Sequence, residues 1–172
     1  MVMAPTGVAA QNVGGKTIHS TLRIRQIGEN YQTLSLNDET SRIQLTKIKA
    51  IIIDEVSMVS DKLFSFLSNT FSMLHKNHKI FGGIPTLVIG DLAQLPPVNG
   101  EQVFFSQVWK PFFPLFLTKP HRQRDDLKYY QLLQELRFGT LSENSKKMIN
   151  EKTRTSKNKN AIINSTHLVG LR

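Results

Sequence analysis

Apolar residues fall in short dense runs along this chain, separated by polar stretches rich in glycine, proline and asparagine. The sharpest run is "KAIIIDE", Lys49 to Glu55, in which four successive apolar residues end on two acids. A run without alternation predicts a strand buried on both faces of a parallel sheet, with Asp54 and Glu55 at its carboxyl end. "TLVIGD", Thr86 to Asp91, repeats the device after the turn residues "GGIP", and "PLFLTK", Pro114 to Lys119, predicts a third strand. The opening "VMAPTG" reads as a strand end running into a turn, followed by a short helix from Gly7 to Val13. Elsewhere the period is helical. Leu63, Phe64, Leu67, Phe71 and Leu74 share one face after the cap Ser60-Asp61 and predict the core side of a helix. "DDLKYYQLLQELRFG" predicts another, with acids in its first turn and Gly139 at its stop. Strands that end in acids and alternate with helices predict an α/β fold, a mostly parallel sheet flanked by helices. Ligands bind at the carboxyl edge of such sheets.

Composition changes this picture little. A chain of 172 residues, 40% hydrophobic and 20% charged, suits one domain with a proper core and excludes a disordered or fibrous protein. The absence of cysteine excludes disulfides and thiolate metal sites. No apolar run approaches the ~18 residues of a membrane span, and the opening residues do not form a charged-then-apolar leader, so the expectation is an intracellular protein. The net charge of +9 points toward a polyanionic partner. Part of that excess lies in Lys146 to Asn160, which reads as a solvated linker, so charge alone argues only weakly for nucleic acid. An apolar strand directly at Met1 reads as an unpaired edge, so the expectation is that Met1 lies inside a larger domain.

"NVGGKTIHST", Asn12 to Thr21, contains Gly15-Lys16-Thr17, the tripeptide that closes a phosphate-binding P-loop. The full motif needs another glycine five positions before Gly15, and that position is Ala10. Gly14-Gly15 therefore reads as a helix stop, and the stretch does not read as a nucleotide-binding loop.

Asp54-Glu55 suits nucleoside triphosphate hydrolysis: an aspartate at a strand tip holds Mg²⁺ through its water shell, and the next glutamate polarises the attacking water. A solvated turn explains the same dipeptide equally well. In "GDLAQLPPV", Gly90 to Val98, Asp91 and Gln94 are placed to reach the same phosphate, and Pro96-Pro97 stiffens the exit. Arg122 in "HRQRDD" offers a planar cationic fork for a phosphate, with a plain surface arginine as the alternative. Asp54, Glu55 and Asp91 are also a conceivable carboxylate set for a metal-dependent nuclease, although no His or Lys cluster accompanies them.

Taken together, "APTGVAAQNVGGKTIHSTL", "IIIDEVSM", "FGGIPTLVIGDLAQLPPV", "HRQRD" and "LQELRFG" resemble, in order and approximate spacing, motifs Ia, II, III and IV and the following helix of the PIF-one-like DNA helicases, relatives of RecD in superfamily 1B. The resemblance implies a RecA-like P-loop NTPase fold lacking its first strand and P-loop. It implies that residues 1–151 form an incomplete first motor domain, and that 152–172 form the linker and truncated start of a second. It implies ATP as substrate, Mg²⁺ held by Asp54, hydrolysis by Glu55, γ-phosphate contacts from Gln94 and Arg122, and Asp91 on the nucleotide side. Pro5, Thr6, Gly7, Thr17 and His19 would lie along single-stranded DNA; read without the family, His19 fits a packed core histidine better. The implied activity is ATP-dependent 5′-to-3′ unwinding of duplex DNA, in repair, recombination and telomere maintenance, in the nucleus or mitochondrion of a eukaryote. The fragment alone is expected to be inactive. The rival expectation is a non-enzymatic helicase remnant, transposon-derived, that at most binds nucleic acid.

Overall fold

The computed structural model describes the backbone of residues 1–156 apart from Glu29. It divides after Leu115 into two compact units.

The first unit is built on a four-stranded sheet of order β2-β1-β5-β6, parallel throughout. Its strands are β1 (Val2–Ala4), β2 (Lys16–Thr17), β5 (Ile51–Ile53) and β6 (Thr86–Val88). β5 is the buried strand its unbroken apolar run predicts: Ile51 and Ile53 are fully buried and Ile52 is half-buried. β6 ends the sheet. Among the described residues nothing pairs with its outer edge, and Leu87 there is 49% exposed.

Helix α1 (Gly7–Asn12) follows β1 and stops where the glycines predict. Gly14 takes φ 64°, and the N–H of Gly15 donates to the carbonyl of Ala10 at 2.8 Å, closing the helix end. A Cβ on Gly15 would lie 2.6 Å from the Val2 carbonyl oxygen, so only glycine lets the chain return beside β1. The P-loop tripeptide is therefore a helix stop leading into β2. Helix α2 (Ile18–Leu22) comes next, then an antiparallel hairpin of β3 (Ile24–Ile27) and β4 (Asn30–Thr33), then α3 (Glu39–Thr46). None of these three is predicted by the sequence pattern.

Helix α4 (Asp61–Leu74) carries the core. Ser60 caps it by accepting from the N–H of Leu63 at 3.2 Å, and Leu63, Phe64, Leu67, Phe71 and Leu74 are all buried. The Phe64 ring packs at 5.3 to 6.0 Å from the rings of Phe81, Trp109 and Phe112.

Residues 114–119, predicted as a strand, form none: Leu115, Phe116 and Leu117 are 77%, 84% and 96% exposed. Strand propensity is realised only through cross-strand pairing and burial, and no described strand pairs with them.

The second unit contains α5 (Leu127–Phe138) and α6 (Glu143–Ser156). Asp126 caps α5 and Gly139 ends it at φ 70°, so the acids of the expected first turn lie just before the helix. The segment expected as a linker from Lys146 is helical through Ser156. Lys146 pairs with Glu143 at 2.7 Å, three residues away on the helix surface, which supports an exposed polar helix. The expected linker and second-domain strand beyond Ser156 lie outside the described residues.

Candidate nucleotide and DNA site

Because β1, β2, β5 and β6 are parallel, the residues after each strand share one edge of the sheet. Pro5, Thr6 and Gly7 follow β1, His19 follows Thr17 at the end of β2, Asp54 and Glu55 follow β5, and Asp91 and Gln94 follow β6. Nine of the ten sequence-predicted site residues thus lie on one edge of the first unit. The tenth, Arg122, is exposed and belongs to the second unit.

Two backbone hydrogen bonds extend the β5–β6 ladder into the loops. The N–H of Ile89 donates to Ile53 at 2.8 Å, and that of Val56 donates to Ile89 at 2.9 Å. Gly90 comes next, where a Cβ would lie 2.8 Å from the Val56 backbone nitrogen. Glycine is required for this approach, which sets the Asp91 loop against Glu55. Asp91 then organises its own loop: its carboxylate accepts from the N–H of Ala93 at 3.1 Å and, weakly, from the Gln94 amide at 3.4 Å.

Asp54 is anchored by its backbone N–H, which donates to Met3 at 2.9 Å. Glu55 sits at φ 50°, ψ 46°, a left-handed conformation sparsely populated by glutamate, and leads into a 3-10 turn at Val56–Met58. Both carboxylates are half-buried and make no hydrogen bond or ion pair among the described residues. Between these loops and α1 lies a cleft of about 250 Å³. Thr6 and Asn12 line it from the α1 side, Glu55 and Ser57 from the loop after β5, and Gln94 from the loop after β6. A larger open groove, about 680 Å³, runs past Lys79, Pro85 and Phe113 at the amino end of β6, and its lining carries no carboxylate.

The predicted DNA residues have structural roles as well. Thr6 caps α1, accepting from the N–H of Ala9 at 3.2 Å, and keeps its hydroxyl proton to donate. Thr17 caps α2, accepting from the N–H of Ser20 at 3.1 Å while donating to the Ser20 hydroxyl at 2.9 Å, so its proton is already engaged. His19 is exposed, which removes the packed core histidine as its explanation. Gly7 is exposed with open space where a Cβ would stand.

Sequence reasoning missed Ser57. It is 4% exposed, and its hydroxyl is buried without a partner among the described residues. A serine two residues after a pair of acids gives no signal of this; only the fold brings it to the cleft.

The chain is similar to characterised proteins. The curated relatives include the ATP-dependent DNA helicase PIF1 of Saccharomyces cerevisiae, 34% identical over 157 residues, covering 85% of this chain and 18% of that protein. Human ATP-dependent DNA helicase PIF1 is 37% identical over 152 residues, covering 81% of this chain and 23% of that protein. The chain thus spans about a fifth of the length of these curated relatives. A crystal structure of Bacteroides Pif1 bound to single-stranded DNA superposes with a TM-score of 0.78 at 29% identity, covering 88% of this chain and 39% of that one. A second, of Bacteroides Pif1 with ADP-AlF3 and single-stranded DNA, gives 0.73 at 28% identity, covering 84% and 38%. The sequence model of the PIF1-like helicases matches residues 1–157, and with these relatives and this RecA-like fold the chain belongs to the PIF1-like helicase family.

Proposed function

We propose that this chain is part of the first motor domain of an ATP-dependent, 5′-to-3′ DNA helicase. The observation that carries the reading is the cleft in which Glu55 and Gln94 face the α1 segment: one sheet edge places groups suited to hydrolysis beside groups suited to a nucleic-acid backbone. Residues 1–151 belong to that domain, and 152–172 lead toward a second motor domain. The unpaired edge of β6 suits the strand that carries the P-loop in a complete motor.

Among the described residues no three His, Cys, Asp or Glu side chains cluster to hold a metal on their own. That fits Mg²⁺ in a nucleotide site, where one or two carboxylates act together with substrate phosphates and water. Asp54, half-buried and its carboxylate without a partner among the described residues, would hold it, and Asp91 flanks the nucleotide. The ion supplies charge neutralisation on the phosphates. Glu55 accepts a proton from the attacking water, and Gln94 and Arg122 contact the γ-phosphate.

On the DNA side, Pro5, Thr6, Gly7, Thr17 and His19 meet a single strand without reading its bases. The open face at Gly7 admits a phosphate, the Thr6 hydroxyl has a proton to give, and exposed His19 offers a ring to stack or bond. The partners are ATP and single-stranded DNA, and the processes served are repair, recombination and telomere maintenance in the nucleus or mitochondrion. No described helix is long and apolar enough to cross a membrane.

The test separates the two acids. In the complete helicase, Asp54→Ala should weaken Mg²⁺-nucleotide binding, whereas Glu55→Gln should keep that affinity and slow the chemical step. Equal nucleotide affinity in the two variants contradicts the assignment.

A further inference from the structure

Four side chains of the described residues hold a buried polar atom without a hydrogen-bond partner: Ser35, Ser57, Asp61 and His75. Only Ser57 lines the cleft that also holds Glu55 and Gln94. A buried hydroxyl normally finds a partner, because leaving one unpaired costs about 1–3 kcal/mol. Among the described residues the half-buried Glu55 carboxylate has no partner, and the exposed Gln94 amide has only a long bond to Asp91 at 3.4 Å. The buried Ser57 hydroxyl and the half-buried Glu55 carboxylate, a donor and an acceptor two residues apart on residues that line one cavity, have no partner among the described residues, which matches a site whose hydrogen bonds close only when a ligand fills it.

We propose that Ser57 is a positioning residue for hydrolysis. In the nucleotide-bound state its hydroxyl donates to the Glu55 carboxylate and fixes that group toward the attacking water. The proposal rests on the reading of Glu55 as the base. The local backbone favours this pairing over one with Gln94. Glu55 and Ser57 ride on the same short turn, whose entry at φ 50° is set by the Val56–Ile89 hydrogen bond and the close approach of Gly90. Gln94, by contrast, hangs exposed from a separate loop. A carboxylate oriented by a single hydroxyl keeps its second oxygen free to accept the proton of water.

This role makes stability and activity respond in opposite senses to one substitution. Ser57→Ala removes a hydroxyl that the unliganded fold leaves unpaired, so the unfolding midpoint should stay or rise. Turnover should fall about 10- to 100-fold, the scale of one lost hydrogen bond to a charged group. The experiment uses the complete helicase that carries this segment, with ATP, Mg²⁺ and single-stranded DNA. It measures kcat, the KM for ATP and the thermal midpoint for wild type, Ser57→Ala and Ser57→Thr, and repeats Ser57→Ala in a Glu55→Gln background. Expected are a lowered kcat with KM within about twofold, recovery of most turnover by threonine, and less than about a twofold further effect once Glu55 is already an amide. The proposal is overturned if kcat of Ser57→Ala matches wild type, if the midpoint falls along with kcat, if threonine is no better than alanine, or if the full loss persists in the Glu55→Gln background. Failure of the underlying reading looks different: Glu55→Gln alone would then turn over ATP at the wild-type rate.

Discussion

Gly90→Ala tests whether hydrolysis depends on how closely the loops after β5 and β6 approach. A Cβ at this position would lie 2.8 Å from the Val56 nitrogen and 3.2 Å from Val56 Cγ1, where ordinary contact begins at 3.4 Å. The nearer atom is backbone, tied to Ile89 by a 2.9 Å hydrogen bond, so it cannot swing aside as a flexible side chain would. The loops must separate by about 0.6 Å, which carries Asp91 and Gln94 away from Glu55. A misplacement of about 1 Å can cost about 10²-fold in rate, so 0.6 Å should lower kcat about tenfold. The assay is DNA-stimulated phosphate release by the complete helicase, with the unfolding midpoint measured in parallel. Gly28→Ala is the control. Gly28 sits at φ 60° between β3 and β4 with open space around a Cβ, so alanine there is strained by about 1 kcal/mol and touches nothing near the cleft. The reasoning is refuted if Gly90→Ala keeps wild-type kcat, or if Gly28→Ala lowers kcat equally.

Further outcomes follow from the other faces of the molecule. DNA binding by the 172-residue chain should be indifferent to base sequence and fall with salt at a log-log slope of about −0.7 per phosphate neutralised. His19→Ala with Thr17→Ala should weaken it; if removing Thr153 to Arg172 abolishes binding and the pair has no effect, the attraction is only that of a basic tail. In the second unit, hydrogen bonds from the Ser145 side chain and the Ser142 N–H hold the Glu135 carboxyl down to about 2 from 4.5. A depressed carboxyl contributes stability above its unfolded value, so α5–α6 helicity should decline as pH falls from about 4.5 toward 2. Circular dichroism should show that decline in the wild type and lose the Glu135 share of it in Glu135→Gln; identical pH profiles would contradict the assignment.

What the sequence shows directly is whatever local chemistry decides. The apolar run before Asp54 needs no partner to be recognised as a buried strand, the stripe from Leu63 to Leu74 declares its face by spacing alone, and the two glycines end α1 by their backbone freedom. The hairpin at Ile24–Thr33 escapes such reading because its strands are mostly polar and exposed, so no apolar alternation marks them. Residues 114–119 err in the other direction: their apolar run is real, but a strand exists only through the neighbour it pairs with. The same holds at the site. Acids at strand ends are visible in the sequence, whereas the cleft depends on Gly90 meeting Val56 across separate loops, and the unpaired hydroxyl of Ser57 depends on burial that no local pattern encodes.

The central claim is that the edge carrying Asp54 and Glu55 hydrolyses ATP in response to the strand held beside it. The most direct measurement is single-stranded-DNA-stimulated ATP turnover by the complete helicase, wild type against Glu55→Gln, with nucleotide affinity determined on the same preparations. Loss of the general base should slow turnover about 10²- to 10⁴-fold while nucleotide affinity is retained. Turnover at the wild-type rate, still stimulated by DNA, would place the chemistry elsewhere and contradict the account.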